Sequence, residues 1–315
     1  MALTGVTGHK INTIRKIRAT IKIGRKNVKQ KMYKKKRKLE KICLHYCDIF
    51  YLEGDALTYT AAVKYEVNTP SENPPINSRP YRLPEKHKEE VNRQIDKMLK
   101  EDIIRQSSSQ WNAPILVVPK KVDASGKAKL RIVVDFRKIN EITIGDSFPI
   151  PNITEILDQL GNAKYFTILD LASGYHQIQM KEEHKCKTAF STPHGHYEFN
   201  RMLFGLKNAP ATFQRLMNSV LAGLQGIKCL VYLDDVVIYG PTLEEHNKRL
   251  TSVFSRLREN NLKLQPDKCE FLRKEIVHKD GKKNTNADAL SRNPIEETKI
   301  NKIENKQKNI QKKKK

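Results

Sequence analysis

Apolar positions along the 315-residue chain are unevenly spread, and their spacing predicts elements only from residue 85 onward. Val91, Ile95, Met98, Leu99 and Ile103 recur at helical spacing and predict an amphipathic helix. Ala113–Val118 and Leu130–Val134 read as two strands joined by a polar loop, 123–129, that contains Gly126. A helix is expected over Thr154–Leu160, then a strand Tyr165–Leu169 that ends at Asp170. Short strands around Thr188–Ser191 and Tyr197–Asn200 bracket the sequence PHGH, and Ala211–Leu224 is helical. Apolar Cys229–Leu233 and Val236–Tyr239 flank two aspartates, and Leu243–Asn260 forms the last helix. Helices and short strands alternate irregularly, which favours an α+β fold with a mixed or antiparallel sheet over a doubly wound parallel one.

The first 84 residues read differently. Ile11, Ile14, Ile17, Ile21 and Ile23 suggest one or two strands too short to fold alone, and YKKKRK (Tyr33–Lys38) reads as a solvated run of like charge. Pro70, Pro74, Pro75, Pro80 and Pro84 make 66–84 an extended connector, because each fixes φ and removes a backbone donor. Charge follows the same division. Of a formal +24, residues 1–41 carry 15 basic residues against one acid, whereas 42–271 carry 30 against 28. The extreme basicity therefore belongs to the ends, around a nearly neutral middle.

No run approaches the length of a membrane span, and no apolar secretory segment opens the chain, so an intracellular protein, cytoplasmic or nuclear, is expected. Cys43, His45 and Cys47 are too few for a zinc site, and a helix or linker is the simpler reading.

Candidate chemistry lies at the strand ends. Asp234 and Asp235 are expected in a hairpin turn, where paired aspartates gain little from turn geometry and repel each other. Asp170 ends the apolar strand FTILD. If the two strands are neighbours, three carboxylates converge, and divalent cations would make that cluster stable; oxygen donors suit Mg2+. Two such ions would activate a 3′-hydroxyl and stabilise a leaving pyrophosphate. Lys120, Lys121 and Arg131, on the earlier hairpin, could grip a triphosphate.

The ordered series RPYRLP, WNAPILVVPKK, RIVVDFRKIN, FPIPNI, FTILDLASGYHQI, TAFSTPHGHYEFNRM, FGLKNAPATFQRLMN, VYLDDVVIYG and LRENNLKLQPDKCEF resembles the reverse transcriptases of gypsy-type LTR retrotransposon Pol polyproteins. The resemblance implies right-hand polymerase fingers and palm, with a central antiparallel sheet packed on helices and the thumb missing. It implies RNA-directed DNA synthesis on a primed RNA or DNA template from deoxynucleoside triphosphates, with two Mg2+ ions or Mn2+ in their place. Asp170, Asp234 and Asp235, with the Leu171 carbonyl, match the metal ligands. Tyr175 matches the gate against a 2′-hydroxyl. Lys120 and Arg131 match the triphosphate-binding residues, with Lys121 an alternative to Lys120. Phe204 and Gly205 match the nucleotide pocket, Lys268 the proton donor to pyrophosphate, and Tyr232 the neighbour of the primer end.

Two departures stand out. Leu203 occupies a position that is proline in the family, and Lys274-Glu275 runs into a segment resembling one found after the RNase H domain. The implied organisation is a basic segment 1–42 whose residues 2–24 resemble part of an aspartic protease without its catalytic motif. A Pro-rich linker 43–84 follows, then fingers and palm 85–275 and a basic tail 276–315. An inactive retroelement remnant that at most binds nucleic acid is the alternative reading, and a basic interaction or import module a third.

Overall fold

The computed structural model describes residues 29–52, 54–119, 130–149, 160–161, 163–232 and 235–273. The chain divides into two compact units, 1–119 with 130–276 and 120–129 with 277–315, and every described residue lies in the first. The strands expected within 9–27 and the basic tail lie outside the described residues, as does the Thr154–Leu160 helix except for Leu160.

In chain order the elements are α1 (Lys29–His45), β1 (Thr60–Tyr65), α2 (Glu85–Lys100), β2 (Ile104–Gln106), β3 (Ile115–Pro119), β4 (Leu130–Val134) and α3 (Arg137–Ile142). Then come β5 (Tyr165–Asp170), β6 (Ile178–Met180), β7 (Phe190–Thr192), β8 (Gly195–Phe199), α4 (Ala209–Val220), β9 (Cys229–Tyr232), β10 (Asp235–Gly240), α5 (Leu243–Glu259) and β11 (Glu270–Arg273). The central sheet has the order β11-β5-β10-β9, all antiparallel. A three-stranded sheet β2-β8-β7, the hairpin β3-β4 and a parallel pair β1-β6 complete an α+β fold.

The central sheet is covered on both faces. Leu169, Val236 and Ile238 join the main core, while Phe166, Leu230 and Tyr239 form a smaller cluster with Leu160. Helix α5 closes the first face with His246, Leu250, Val253, Phe254 and Leu257 buried. Thr242 caps it by accepting from the Glu245 amide (3.2 Å), and Glu244 and Glu245 at one end with Arg256 and Arg258 at the other complement its dipole. At the strand-to-helix crossing, a β-carbon on Gly240 would stand 2.9 Å from the His246 amide nitrogen, so only glycine fits.

Residues 43–67, expected as linker, pack into the same core. Cys43, Ile49, Phe50, Tyr65 and Val67 are buried, and Tyr51 N–H donates to the Leu264 carbonyl at 2.9 Å. The run Tyr33–Lys38 lies within α1, not in a linker, and the boundary expected at residue 42 falls inside that helix. Even the proline-rich stretch is tied down: Tyr81 Oη donates to Asp135 at 3.0 Å, and Arg137 forks onto the same carboxylate at 2.7 and 2.9 Å. Those hydrogen bonds hold the Asp135 carboxyl below the usual carboxylate range. The stripe ending at Ile103 is also interrupted: α2 stops at Lys100 and Asp102 takes φ +51°, so Ile103 is buried after a turn.

Candidate active site

Antiparallel register brings Asp170 and Asp235 together. Asp170, the last residue of β5, is directly opposite Asp235, the first of β10, and Asp235 is also paired with Tyr232 of β9. Asp235 is thus a strand residue, where the sequence suggested a turn, and Asp234 lies outside the described residues. Desolvation raises both carboxyls above the ordinary range, although Asp170 is half-buried and Asp235 more exposed, and for Asp235 the charge of Asp170 adds to the effect. Lys268 opposes it, with Nζ 3.3 Å from both oxygens of Asp170. The pair suits a hard cation in donor chemistry and in charge, and one ammonium is already drawn to it. Among the described residues no three acidic, histidine or cysteine side chains form a metal cluster.

The floor under Asp170 is built from residues that periodicity does not single out. The Asp170 carbonyl accepts from Gln265 N–H at 2.9 Å, Ala172 N–H donates to the Lys263 carbonyl at 2.9 Å, and Leu171 bridges Leu264. Gln177, fully buried, donates to the carbonyls of Ala172 and Lys263 and accepts from Lys263 N–H. A glutamine alternating with apolar residues in HQIQM is the signal that could have marked it, since a buried amide needs partners. Arg201, 5% exposed, likewise spends its guanidinium on the carbonyls of Leu57, Thr58, Asp102 and His176.

Five residues after Asp170, Tyr175 is buried beneath Phe204, their rings stacked with centroids 4.4 Å apart and planes 20° from parallel. Phe204 itself is 54% exposed, an unusual placement for a phenylalanine. Gly205 next to it has φ +91°, which glycine alone adopts at little cost. Asn140 of α3 clamps this loop with both ends of its amide, donating to the Gly205 carbonyl (2.7 Å) and accepting from Lys207 N–H (2.8 Å). Leu203, in the expected proline position, is buried and packs in the core.

Of the remaining candidates, Arg131 is exposed on β4 opposite Val118, while Lys120 and Lys121, just beyond the end of β3, lie outside the described residues. Cys43 and Cys47 are free thiols; burial raises the Cys43 pKa to about 12, so it is packing material and not a thiolate ligand. No helix among the described residues is long and apolar enough to cross a membrane.

Comparison with known proteins points the same way. The chain is 53% identical over 238 residues to the retrovirus-related Pol polyprotein from transposon 297 of Drosophila melanogaster, covering 76% of this chain and 22% of that protein. It is 42% identical over 241 residues to the one from transposon gypsy of the same organism, covering 74% and 23%. The chain thus spans about a fifth of the length of these relatives. Foamy viral protease-reverse transcriptase in complex with an RNA/DNA hybrid superposes with a TM-score of 0.70 at 23% identity, over 88% of this chain and 35% of that one. The foamy viral protease-reverse transcriptase dRH in complex with double-stranded DNA superposes equally well at 25% identity, over 88% and 46%. The family described as reverse transcriptase (RNA-dependent DNA polymerase) matches residues 118–303, more than half of the sequence and all of the carboxylate-bearing sheet, and the chain belongs to that family.

Proposed function

We propose that the chain is an RNA-directed DNA polymerase module that adds deoxynucleotides to a primer 3′ end by two-metal nucleotidyl transfer. The observation that carries this reading is the register of β5 and β10, which sets Asp170 against Asp235 at one sheet end. Reverse transcriptases generally use divalent metal ions. Asp170 and Asp235, with Asp234 and the Leu171 carbonyl, would hold them. Bound there, the ions would lower the pKa of the 3′-hydroxyl and neutralise the triphosphate.

The protein's own groups do the rest. The Gln177 and Gln265 contacts fix the backbone on which Asp170 stands, so its carboxylate is positioned before substrate arrives. Tyr175 closes the sugar side of the pocket and discriminates against a 2′-hydroxyl, and Phe204 and Gly205 form the adjoining wall. Lys120 and Arg131 hold the triphosphate from the fingers hairpin. Lys268, already beside Asp170, carries a proton that the leaving pyrophosphate can take. The partners are a primed RNA or DNA template and deoxynucleoside triphosphates, met in the cytoplasm or nucleus.

Primer extension with an RNA template, a DNA primer and Mg2+ tests the reading. Extension by the wild type that is abolished in Asp170→Asn and Asp235→Asn is the expected result. Equal yields from wild type and either variant would overturn it.

A further inference from the structure

We propose that Asn140 is a positioning residue for deoxynucleotide selection: from α3, its side-chain amide sets the arch Phe204-Gly205 over Tyr175. The assignment deepens the function proposed above and rests on it. Leu203 and Leu206 are buried while Phe204 between them is half-exposed, so burial anchors the two feet of this loop far more than its crest. Asn140 supplies what burial does not. Its Nδ2 donates to the Gly205 carbonyl at 2.7 Å and its Oδ1 accepts from Lys207 N–H at 2.8 Å, so one planar amide fixes two main-chain groups beside a glycine at φ +91°. The other ring of the stack is tied separately: His176, next to Tyr175, has Nδ1 3.0 Å from the Met202 carbonyl.

A side chain positions a loop only if it is itself fixed. Phe136 and Ile139 hold the ends of the α3 turn in the core, Asp135 N–H donates to the Pro114 carbonyl at 2.8 Å, and Thr143 Oγ1 donates back to the Ile139 carbonyl at 2.6 Å. The residues after α3 continue the seam, with Lys207 Nζ donating to the Thr143 carbonyl and Asn208 Nδ2 to the Ile144 carbonyl, both at 2.8 Å. Helix α3 also follows closely on β4, the strand of Arg131, so one short stretch carries a proposed triphosphate contact and the clamp on the proposed sugar wall. Sugar discrimination turns on a single hydroxyl, and misplacing a substrate-lining group by about 1 Å can cost on the order of 100-fold in rate.

The test is single-nucleotide extension by the full chain on an RNA template with a DNA primer, using a deoxynucleotide and the matching ribonucleotide, with kcat and KM taken separately. Asn140→Ala should raise the deoxynucleotide KM about tenfold, change kcat by less than about threefold, and raise relative ribonucleotide use roughly tenfold as a ratio of kcat/KM values. Because Asn140 acts through the crest of the loop, the same substitution in a Phe204→Ala background should move that ratio by less than about twofold. Gly240→Ala, which costs stability at the crossing into α5, should leave the ratio unchanged. An unmoved ratio in Asn140→Ala would overturn the proposal, as would a loss confined to kcat. Full additivity with Phe204→Ala, or an equal shift in Gly240→Ala, would also overturn it and reduce Asn140 to a general stabiliser. Extension indifferent to Asp170→Asn removes the polymerase reading and this assignment together, whereas Asp170-dependent extension with an unmoved ratio removes Asn140 alone.

Discussion

The side-chain amide of Gln177 pairs with the main chain of Lys263 in both directions, donating to its carbonyl at 2.8 Å and accepting from its N–H at 2.7 Å. A side chain thereby takes the place of a neighbouring strand and joins the loop after Asp170 to the segment that supports it. Gln177→Leu should cost about 2 to 3 kcal/mol, because buried main-chain groups lose their partners. Urea unfolding measures this, and the same variant should lose turnover more than nucleotide affinity. Turnover unchanged at intact fold would show that the loop does not position Asp170.

The stacked Tyr175 and Phe204 rings predict a split between selectivity and stability. Phe204→Ala, at a half-exposed position, should cost only about 1 kcal/mol of stability. Tyr175→Val should raise ribonucleotide incorporation relative to deoxynucleotide by roughly 10- to 100-fold, measured as the ratio of kcat/KM values. A constant ratio would remove Tyr175 from sugar selection.

Two glycines should fail for different reasons. Gly205→Ala meets no atom closer than 3.8 Å, so its cost, about 1 to 2 kcal/mol, is the backbone strain of φ +91°. Gly205→Asn should recover part of it, since asparagine tolerates positive φ better. Gly240→Ala drives a methyl into the backbone of α5 and should cost about 1 to 3 kcal/mol, with no relief from asparagine. Thermal melts of the four variants separate strain from collision.

His246 predicts acid sensitivity. Fully buried, with Nε2 3.0 Å from Thr167 Oγ1, it is held neutral by burial and its pKa falls from 6.5 to about 4. The unfolded chain takes up a proton that the native state refuses, so this contribution is complete above pH 6.5 and is lost as pH falls toward 4. It amounts to about 3 kcal/mol. Melting temperatures from about pH 7 to about pH 4.5 should fall steeply for the wild type. In His246→Gln the slope should be shallower, though not flat, because burial lowers His176 to about 4 as well.

How much the sequence revealed depended on element length. β5 and β10 were legible because their apolar runs border aspartate, β5 ending in Asp170 and β10 beginning with Asp235, and their pairing is what brings the two carboxylates together. β2 and β6, three residues each, are too short for alternation to show, and β1, TAAVKY, buries only its end residues Thr60 and Tyr65, so it shows none either. Gln177, Asn140 and Arg201 were missed because their work is done by hydrogen bonds to main chain, which hydropathy does not register. The helical state of Tyr33–Lys38 was hidden by its own charge and comes from packing further along α1.

The contacts that moor residues 45–58 reach far along the chain: Arg258 pairs with Asp48 across 210 positions, and Thr58 donates to the Asn261 carbonyl across 203. At ribosomal rates of about 5 to 20 residues per second, the early segment waits on the order of 10 to 40 s for its partners to emerge. The floor under Asp170 therefore closes late, and the nascent chain must carry Ile49, Phe50 and Leu52 uncovered until it does. Folding of this protein is a problem of timing as much as of stability, with its aggregation risk concentrated in residues 49–52 during synthesis.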